Sequence, residues 1–581
     1  MRPGKKLTTG ILPTLLCLLA MLITACGSGG GSTTINGTHP KAPTAQQVYI
    51  SDAEVGNSDL YSFDPALAPD APSAYAIEIV FTGLVQLDDK MTVKGQLASS
   101  WDVSPDHLTY TFHLKPNLVF SDGTPLTSAD VAYSINRALL PATQSSTAAY
   151  YLRYIKDSDK ISAGSIKTLI GDSIMTPNAN TVVLVANKPV PFFLDTLTFQ
   201  CAFVVEKSLV TKYGKTWTDH LTEGGGAGPF TVQEYTHKKQ IVFVANPKYY
   251  GAKPQLQKVI FPFYKELDSG YPAYEVNQLD RTPIPLAHFD AEKNSPQFHQ
   301  SALLAINYYT MNYLQKPFDN THMRQAFELA INKDLIVKSI WKGSFIATNH
   351  IVPQGMYGYN PNLTGPDGVK GTAGDTAKAK ALFQQALTEE GYSSAAQLPP
   401  ITLTYASAGI QADRDEVAAM QQMWQTVLGV SVRTNDIELN KLFADESLGP
   451  NNPLQFYTGP AWLTDYPDPE DWTTLQFDKG AALNSMSFGQ NKGPDASAQQ
   501  AVQQQMEQAD VMQDPQARLQ AYNNIEQQLV NYVAWFPMEQ QITAVLQKPC
   551  VQGLVDNPSG LRPPDDWANV YISTDTPCAK I

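Results

Sequence analysis

One stretch in the second half of the chain permits few folds. Ile401–Tyr405 and Val430–Arg433 alternate apolar with polar residues, and Arg414–Leu428 between them places apolar residues at helical spacing. Gly429 follows the helical pattern directly, and glycine is the residue type that most often ends a helix. A strand, a helix and a strand in this order predict two parallel strands joined by a right-handed crossover. We therefore expect an α/β fold here, preceded by a strand at Asn307–Asn312.

Further elements are predicted around this unit. Apolar spacing favours one helix from about His322 to Lys342 and another over Ala377–Leu387. Two Gln-rich helices follow residue 472, and the second opens at Asp514-Pro515, an N-cap followed by proline. Two separate strands are expected near Val533–Phe536 and Ile542–Leu546.

The first half of the chain is richer in strands. Leu108–Leu114 alternates apolar and polar residues as a half-buried strand does. Ala74–Gly83 is expected to be a helix that ends on its glycine. Phe230–Tyr235 and Gln240–Ala245 predict a hairpin. The glycine run before it, 224–228, lacks the Gly-Lys-Ser/Thr ending of a phosphate loop and precedes strands, so we interpret it as a turn.

Length and charge narrow the class of protein. A chain of 581 residues with 43% hydrophobic content is long enough for two or three domains with sizeable cores. The net charge is −14, and the sequence pI is about 5.1. No basic run occurs beyond the first six residues. This balance argues against nucleic acid or an anionic membrane surface as a partner.

The N-terminus indicates export. Basic residues precede the apolar stretch Ile11–Ile23, which is too short to span a bilayer and is typical of a secretory signal. Small residues followed by Cys26 resemble the lipobox of bacterial lipoproteins, which implies that 1–25 is removed and that the Cys26 thiol is acylated. Residues 26–47 are rich in Gly, Ser, Thr and Pro, which predicts a flexible tether.

The remaining cysteines fit an exported protein. Export permits disulfides, and we expect Cys550 and Cys578 to staple the C-terminal segment. Cys201 lies in an apolar run and is expected to be a buried free thiol. The sequence has no CxxC pair, no His-Glu-x-x-His motif and no Gly-x-Ser-x-Gly motif. We therefore expect no metal, no cofactor and no catalytic residue, and hence a protein that is not an enzyme.

A second distinctive stretch runs from Trp462 to Trp472. It carries four carboxylates within seven residues, and two prolines two positions apart exclude a helix interior or a central strand there. A short strand is expected just before it, at Leu454–Tyr457, so Asp465 follows the end of a strand, where open α/β sheets place ligand-binding groups. An acid among aromatic rings suits a ligand with a cationic end. The alternative is a solvated acidic turn.

Several separated blocks then resemble one protein family, the bacterial extracellular solute-binding proteins of family 5, which serve ABC importers. The similar proteins within it are oligopeptide- and dipeptide-binding proteins. The resemblance runs from about residue 48 to the C-terminus, and its blocks occur in the family order: 97–101 with 108–114, 120–127 with 130–134, 228–230, 246–250, and 317–319 through 324–326 and 330–332.

The resemblance implies a fold. The family has an α/β fold of the periplasmic-binding-protein type (cluster C), in which two lobes close on a ligand, with an extra inserted domain in the longer members. Domain I is then expected at 45–84, 197–305 and 540–581, the inserted domain II at 85–196, and domain III at 306–539.

The resemblance also implies a site. In peptide-binding relatives an Asp at the position of Asp465 pairs with the α-ammonium of the peptide, and an aromatic at the position of Trp462 lines a side-chain pocket. The backbones of Pro460–Leu463 and Pro69–Ser73 match stretches that hydrogen-bond the peptide as an added strand. The ligand-binding residues expected on these grounds are Asp465, Trp462, Ala461, Leu463, Tyr466, Asp70 and Ala71.

The sequence departs from the relatives at one point. Some relatives place Arg or Lys shortly before this Asp to meet the ligand's carboxylate, and 445–464 contains neither. The length of the peptide therefore stays open. A receptor for oligosaccharides, with Trp462, Trp472 and Trp424 as stacking platforms, and a receptor for nickel chelates are the alternatives within the family. A secreted hydrolase is a remote one.

The expected protein is a monomeric, lipid-anchored receptor outside the cytoplasm, on the outer face of the cytoplasmic membrane or in a periplasm. Its expected partners are a small peptide, the permease and ATPase of an ABC importer, and the membrane through the lipid anchor, with no nucleic acid.

Overall fold

The structure, a computed structural model, describes residues 39–54, 59–264, 267–459 and 461–580. The predicted signal at 1–25 and residues 26–38 of the predicted tether, which include Cys26, lie outside this range. The prediction of a flexible tether is wrong for residues 40–47, because Ala42 N donates to Ile572 O at 2.9 Å and Gln47 is 0% exposed, so these residues belong to the folded body. Within it, no helix is long and apolar enough to cross a bilayer.

The chain forms short strands and helices throughout. The strands are β1 (Val48–Ile50), β2 (Val85–Leu87), β3 (Val93–Gly95), β4 (Ala98–Val103), β5 (Thr109–Leu114), β6 (Ile174–Asn178), β7 (Thr181–Val185), β8 (Phe230–Thr236), β9 (Gln240–Ala245), β10 (Lys258–Pro262), β11 (Arg281–Pro283), β12 (Phe298–Met311), β13 (Phe345–Ala347), β14 (Ile401–Tyr405), β15 (Val432–Asp436), β16 (Phe456–Thr458), β17 (Trp462–Leu463), β18 (Phe536–Gln547), β19 (Val551–Gln552) and β20 (Tyr571–Ile572). The helices are α1 (Ala71–Val80), α2 (Ser128–Leu139), α3 (Ala148–Tyr151), α4 (Ser158–Ser162), α5 (Phe193–Thr196), α6 (Lys207–Tyr213), α7 (Gly270–Glu275), α8 (Phe289–Glu292), α9 (Thr321–Leu329), α10 (Lys333–Ser339), α11 (Thr376–Glu389), α12 (Gln411–Leu428), α13 (Leu439–Glu446), α14 (Thr474–Phe477), α15 (Ala496–Asp510) and α16 (Pro515–Tyr532).

Three sheets carry most of the strands. One has the order β1-β10-β9-β8, a second β4-β5-β7-β6, and the largest β11-β18-β12-β16-β14-β15. The predicted parallel pair is confirmed, because β14 and β15 run parallel with Leu403 opposite Thr434. The helix between them ends on Gly429 in the left-handed conformation (φ 70°), as expected.

The largest sheet is built on two long antiparallel strands, β12 and β18. They pair from Phe298 opposite Leu546 to Tyr309 opposite Phe536, with irregular register between Ala302 and Ile306. The prediction of two separate strands at 533–536 and 542–546 is therefore wrong, since β18 runs unbroken through the second of them. Val533 instead ends α16 with φ 53°.

Separate apolar cores lie under these sheets. One collects buried side chains mostly from 84–204, including Phe112 and Leu184, and another collects them from 42–81, 203–263 and 550–572. Two more belong to 304–538; one is centred on Trp424 and Phe456, the other on Trp472 and Trp535.

Local capping explains two helices that differ from the prediction. Helix α1 begins at Ala71, because the Asp70 side chain accepts a hydrogen bond from Ser73 N at 3.3 Å. It ends at Val80, so Gly83 does not cap it. The predicted helix over 322–342 is two helices, because Asn332 leaves helical geometry and accepts a hydrogen bond from Leu335 N at 2.9 Å to cap α10.

The cysteine predictions are confirmed. Cys550 and Cys578 form a disulfide with Cα atoms 5.6 Å apart, and Cys201 is a buried free thiol. Asp280, which is fully buried beside the disulfide, accepts hydrogen bonds from Ile50 N and Ala579 N at 2.9 Å each. The disulfide thus closes the C-terminal segment on itself, and Asp280 connects that segment to β1 by hydrogen bonds.

We predict that Trp424→Ala lowers the free energy of unfolding by about 3–5 kcal/mol, the usual cost of removing a fully buried tryptophan. Trp424 is 0% exposed, packs against Phe327 and Phe456, and donates its indole N–H to Phe327 O at 2.8 Å. Urea unfolding of the two proteins measures the loss. Gln425→Ala, on the exposed side of α12, is the control; a Trp424→Ala loss no larger than the control's would contradict this core assignment.

Candidate functional site

The Trp462–Trp472 segment leaves the largest sheet in a sharp turn. Trp462 and Leu463 pair antiparallel with Ile306 and Ala305 of β12, and Thr464 N donates to Leu304 O at 2.8 Å. Asp468 then caps a 3₁₀ turn over Pro469–Trp472 by accepting from Glu470 N at 3.0 Å. Asp465 therefore follows a strand end directly, as the sequence predicts.

The Asp465 carboxylate has an unusual environment. Its Oδ2 accepts the hydroxyl of Tyr151 from α3, and its backbone N–H donates to Asp471 Oδ2 at 3.1 Å. Burial raises the pKa of Asp465 to about 7. Among the described residues, no Lys, Arg or His forms an ion pair with it. This acid is desolvated without a counter-charge, which is costly unless it binds a proton or a cation.

Asp471 adds a second carboxyl beside the first. Its side chain is 0% exposed, and its Oδ1 has no hydrogen-bond partner in the described part of the chain. Burial raises the pKa of Asp471 well above its usual value, and the nearby Asp465 charge raises it further. The half-buried Asp465 and the buried Asp471 therefore form an acidic pair that favours uptake of positive charge.

The other two acids of the segment are balanced by arginines. Arg518 of α16 holds Asp468 with two hydrogen bonds of 2.7 Å each. Arg153 donates to Glu470, which also accepts the Tyr466 hydroxyl and, at 3.1 Å, the Tyr154 hydroxyl. The two arginines thus neutralise Asp468 and Glu470. The negative charge that they do not neutralise lies at the Asp465–Asp471 pair.

The sequence did not point to Tyr151, Arg153 or Arg518. Tyr151 is 314 positions from Asp465, Arg153 is 317 from Glu470, and Arg518 is 50 from Asp468. No local spacing rule connects residues so far apart. Only the acidic excess of the 465–471 run hinted that cations from elsewhere must meet it.

The remaining predicted site residues fall into two groups. Ala461, Trp462 and Leu463 are half-buried next to Asp465, whereas Tyr466 is buried, with its ring stacked on Phe192 at 6.3 Å. Pro460 lies outside the described residues.

Asp70 and Ala71 are placed differently from the expectation. Asp70 is a helix cap and Ala71 starts α1. The expectation that Pro69–Ser73 offers an extended edge is wrong for Ala71–Ser73, because these residues form the first turn of that helix. Neither Asp70 nor Ala71 hydrogen-bonds the 462–472 segment within the described chain.

Comparison with protein families identifies the chain. The family model described as "Bacterial extracellular solute-binding proteins, family 5 Middle" matches residues 92–484. The chain belongs to this family. Relatives from Bacillus subtilis include the oligopeptide-binding protein OppA, 27% identical over 82% of this chain and 85% of its own length. The dipeptide-binding protein DppE from the same organism is 25% identical over 90% and 92%.

Solved structures agree on the fold. The murein tripeptide binding protein MppA of Escherichia coli aligns with a TM-score of 0.74 at 24% identity, over 91% of this chain and 99% of its own. Haemophilus influenzae OppA in complex with the peptide RPPGFSPFR also gives 0.74, at 21% identity and the same coverage. The chain thus has the predicted two-lobe periplasmic-binding-protein fold of cluster C, with an inserted domain.

We predict that Asp465→Asn makes the ligand-free protein more stable at pH 7.5, by about 1–3 kcal/mol. Burial favours the protonated carboxyl, so between about pH 4 and 7 the folded chain holds a proton that the unfolded chain has released. The wild-type contribution is therefore lost as pH rises through this window, and the advantage of the variant should vanish near pH 4.

Urea unfolding at pH 4 and pH 7.5 measures this difference. The control is Asp290→Asn, an exposed acid paired with Lys293, which should keep the wild-type decline with pH. An Asp465→Asn effect of equal size at both pH values would show that the carboxyl is not strained by burial.

Proposed function

We propose that this protein is a receptor that captures peptides outside the cytoplasm and delivers them to an ABC importer. The observation that carries the proposal is the partly desolvated Asp465 carboxylate, which lies at a strand end beside Asp471 and has no ion-pair partner in the described part of the chain. A peptide's α-ammonium supplies the missing charge. The names of relatives support the same ligand class, since they include oligopeptide-, dipeptide- and murein peptide-binding proteins.

We propose that the receptor captures the peptide when its two lobes close on it. We propose the domain division stated above, with domain I at 45–84, 197–305 and 540–581, domain II at 85–196 and domain III at 306–539. The separate apolar cores follow these ranges closely. Contacts such as Tyr151 with Asp465 and Arg153 with Glu470 then join domain II to domain III, and a ligand held at Asp465 lies where these domains meet. The receptor itself performs no chemistry.

Other ligand classes fit the site less well. An oligosaccharide receptor was expected to use Trp472 and Trp424 as stacking platforms, but both are 0% exposed in apolar cores. One Escherichia coli relative, 27% identical over 86% of this chain, is named for deoxycholate binding. A bile acid is an anion at neutral pH and would meet the unbalanced Asp465 and Asp471 unfavourably.

The N-terminus supports a membrane tether. We propose that Cys26 is acylated after removal of 1–25 and that the polar residues before 40 link the folded body to the lipid. The receptor then stays close to its permease, which raises the effective concentration of captured ligand there.

We predict that the folded body, produced from residue 39 onward, binds peptides of two to eight residues and that Asp465→Ala weakens binding by about 2–5 kcal/mol, the usual cost of removing one partner of a desolvated charge pair. Acetylation of the peptide's N-terminus should cause a comparable loss, because it removes the ammonium. Calorimetric titration measures both effects.

The matched control is Asp290→Ala, which removes one exposed carboxylate and should leave affinity unchanged. Equal binding of free and acetylated peptides would refute the role of Asp465 as the amino-end anchor. Failure of every peptide to bind would refute the peptide receptor itself.

We predict that Cys26→Ser moves the protein from the membrane fraction to the soluble fraction, because the acylated thiol is lost. Fractionation of expressing cells, with mass measurement of the mature N-terminus, checks this. A wild-type protein that is soluble and begins before residue 26 would contradict the anchor.

A further inference from the structure

A pocket of about 480 Å³ opens beside the Trp462–Trp472 segment. The β2–β3 turn at 89–93 forms one wall, and Gly355–Tyr357 forms another. Leu304, Pro467 and Pro558 close the pocket around Asp195 of α5. The pocket therefore lies between segments of proposed domains I, II and III.

The walls combine apolar surface with acid. Met91, Leu304 and Met356 supply long apolar contacts, whereas Asp89 and Asp195 supply carboxylates. Lys90 is the one cation among the described lining residues, and it is exposed. Acidic groups beside an apolar surface favour a ligand side chain that has a long apolar part and a positively charged end.

Asp195 lacks a counter-charge. No side chain of the described residues forms an ion pair or a hydrogen bond with its carboxylate, and Arg518, whose charge reaches it, is already held by both oxygens of Asp468. Burial raises the pKa of Asp195 to about 7, and the charge of Asp468 adds to this effect. Asp195 is half-buried, and a partly desolvated carboxylate with no ion-pair partner among the described residues gains stability when a cation enters.

Asp89 strengthens the negative character of the pocket. One of its oxygens is buried without a partner among the described residues. Its carboxyl adjoins that of Asp566, and burial together with this neighbour raises the pKa of Asp566 to about 7. The charge of Arg562 opposes this rise, but among the described residues no cation forms an ion pair with Asp89 or Asp195.

The pocket is within reach of a ligand at Asp465. Pro467, which lines it, is two residues from Asp465, so their Cα atoms are at most about 7 Å apart. In an extended peptide the side chains alternate between two faces at about 3.3 Å per residue. The pocket is thus close enough for one of the first three side chains of a peptide anchored at Asp465 to reach it.

We propose that this pocket is a subsite for a lysine or arginine side chain of the bound peptide, with Asp195 as the counter-charge. The inference rests on the proposed peptide function and adds a preference within it. The methylene stem lies along the Met91, Leu304 and Met356 surface, while the ammonium or guanidinium meets the carboxylate. The absence of Arg and Lys from 445–464 fits a site that selects positive rather than negative ligand groups.

The test uses tetrapeptides with one variable position. Lysine is compared with norleucine and arginine with citrulline, each at positions one, two and three of an otherwise alanine peptide. Calorimetry at pH 8, where Asp195 is mostly ionised, is run on the full body, on Asp195→Asn and on the exposed-acid control Asp290→Asn. At one position, the cationic peptides should bind about tenfold more tightly than their neutral partners in wild type and control.

In Asp195→Asn this preference should disappear while the affinity for the norleucine peptide stays unchanged, which also shows that the variant is folded. Asp195→Glu should keep the preference. Equal affinities for cationic and neutral peptides in the wild type would overturn the subsite and leave the peptide receptor standing. A preference that survives in Asp195→Asn would overturn the role of Asp195. If no peptide binds at all, the receptor proposal fails and this inference fails with it.

Discussion

The pairing of β12 with β18 is the constraint on which the ligand-facing part of the structure depends. β12 also pairs with β16 and β17, so one strand sets the register of three neighbours. By pairing with β17, strand β12 determines that the chain leaves the sheet after Thr464, and this determines the position of Asp465. The break in register between Ala302 and Ile306 of β12 lies next to this point, because Ala305 and Ile306 are the partners of β17.

Electrostatics then determines what this turn offers a ligand. A segment with four acids is held in the interior by two arginines, each of which uses its charge on one acid. The residual negative charge is concentrated at Asp465 and Asp471, where hydrogen bonds come from a hydroxyl and a backbone N–H rather than from a cation. Such an arrangement destabilises the folded chain at neutral pH, and the proposed binding of a ligand's ammonium would remove that destabilisation.

Much of the fold was predictable because it depends on local patterns. The β14–α12–β15 unit, the hairpin of β8 and β9, and the Asp514-Pro515 helix start all follow from periodicity and capping within about twenty residues. The position of Asp465 at a strand end was predictable for the same reason. Errors arose where a single polar side chain ended an element, as Asn332 does, or began one early, as Asp70 does.

The partners of the acidic segment were not predictable. Tyr151 and Arg153 reach it from more than three hundred positions away, and nothing near them in the chain marks that contact. These two residues meet the acidic segment only because the proposed domain II packs against 462–472. Likewise, Trp424 and Trp472 are buried because the sides of the helical segments that carry them face apolar cores. The presence of a tryptophan in the sequence does not by itself predict whether its side chain is buried or exposed.

Hydrogen bonds join the segment 40–47 to the segment 572–574, and this pairing has a mechanical consequence. Ala42 N donates to Ile572 O at 2.9 Å, Thr574 N donates to Pro40 O at 2.8 Å, and Gln47 exchanges side-chain hydrogen bonds with Ile572. A pull on the N-terminal side of the body therefore loads these bonds first. Ile572 lies within the loop that the Cys550–Cys578 disulfide closes. The disulfide therefore keeps the segment that bears the force attached at both ends. A force transmitted through the proposed tether would thus reach a covalently closed ring before it reaches the strands around Asp465.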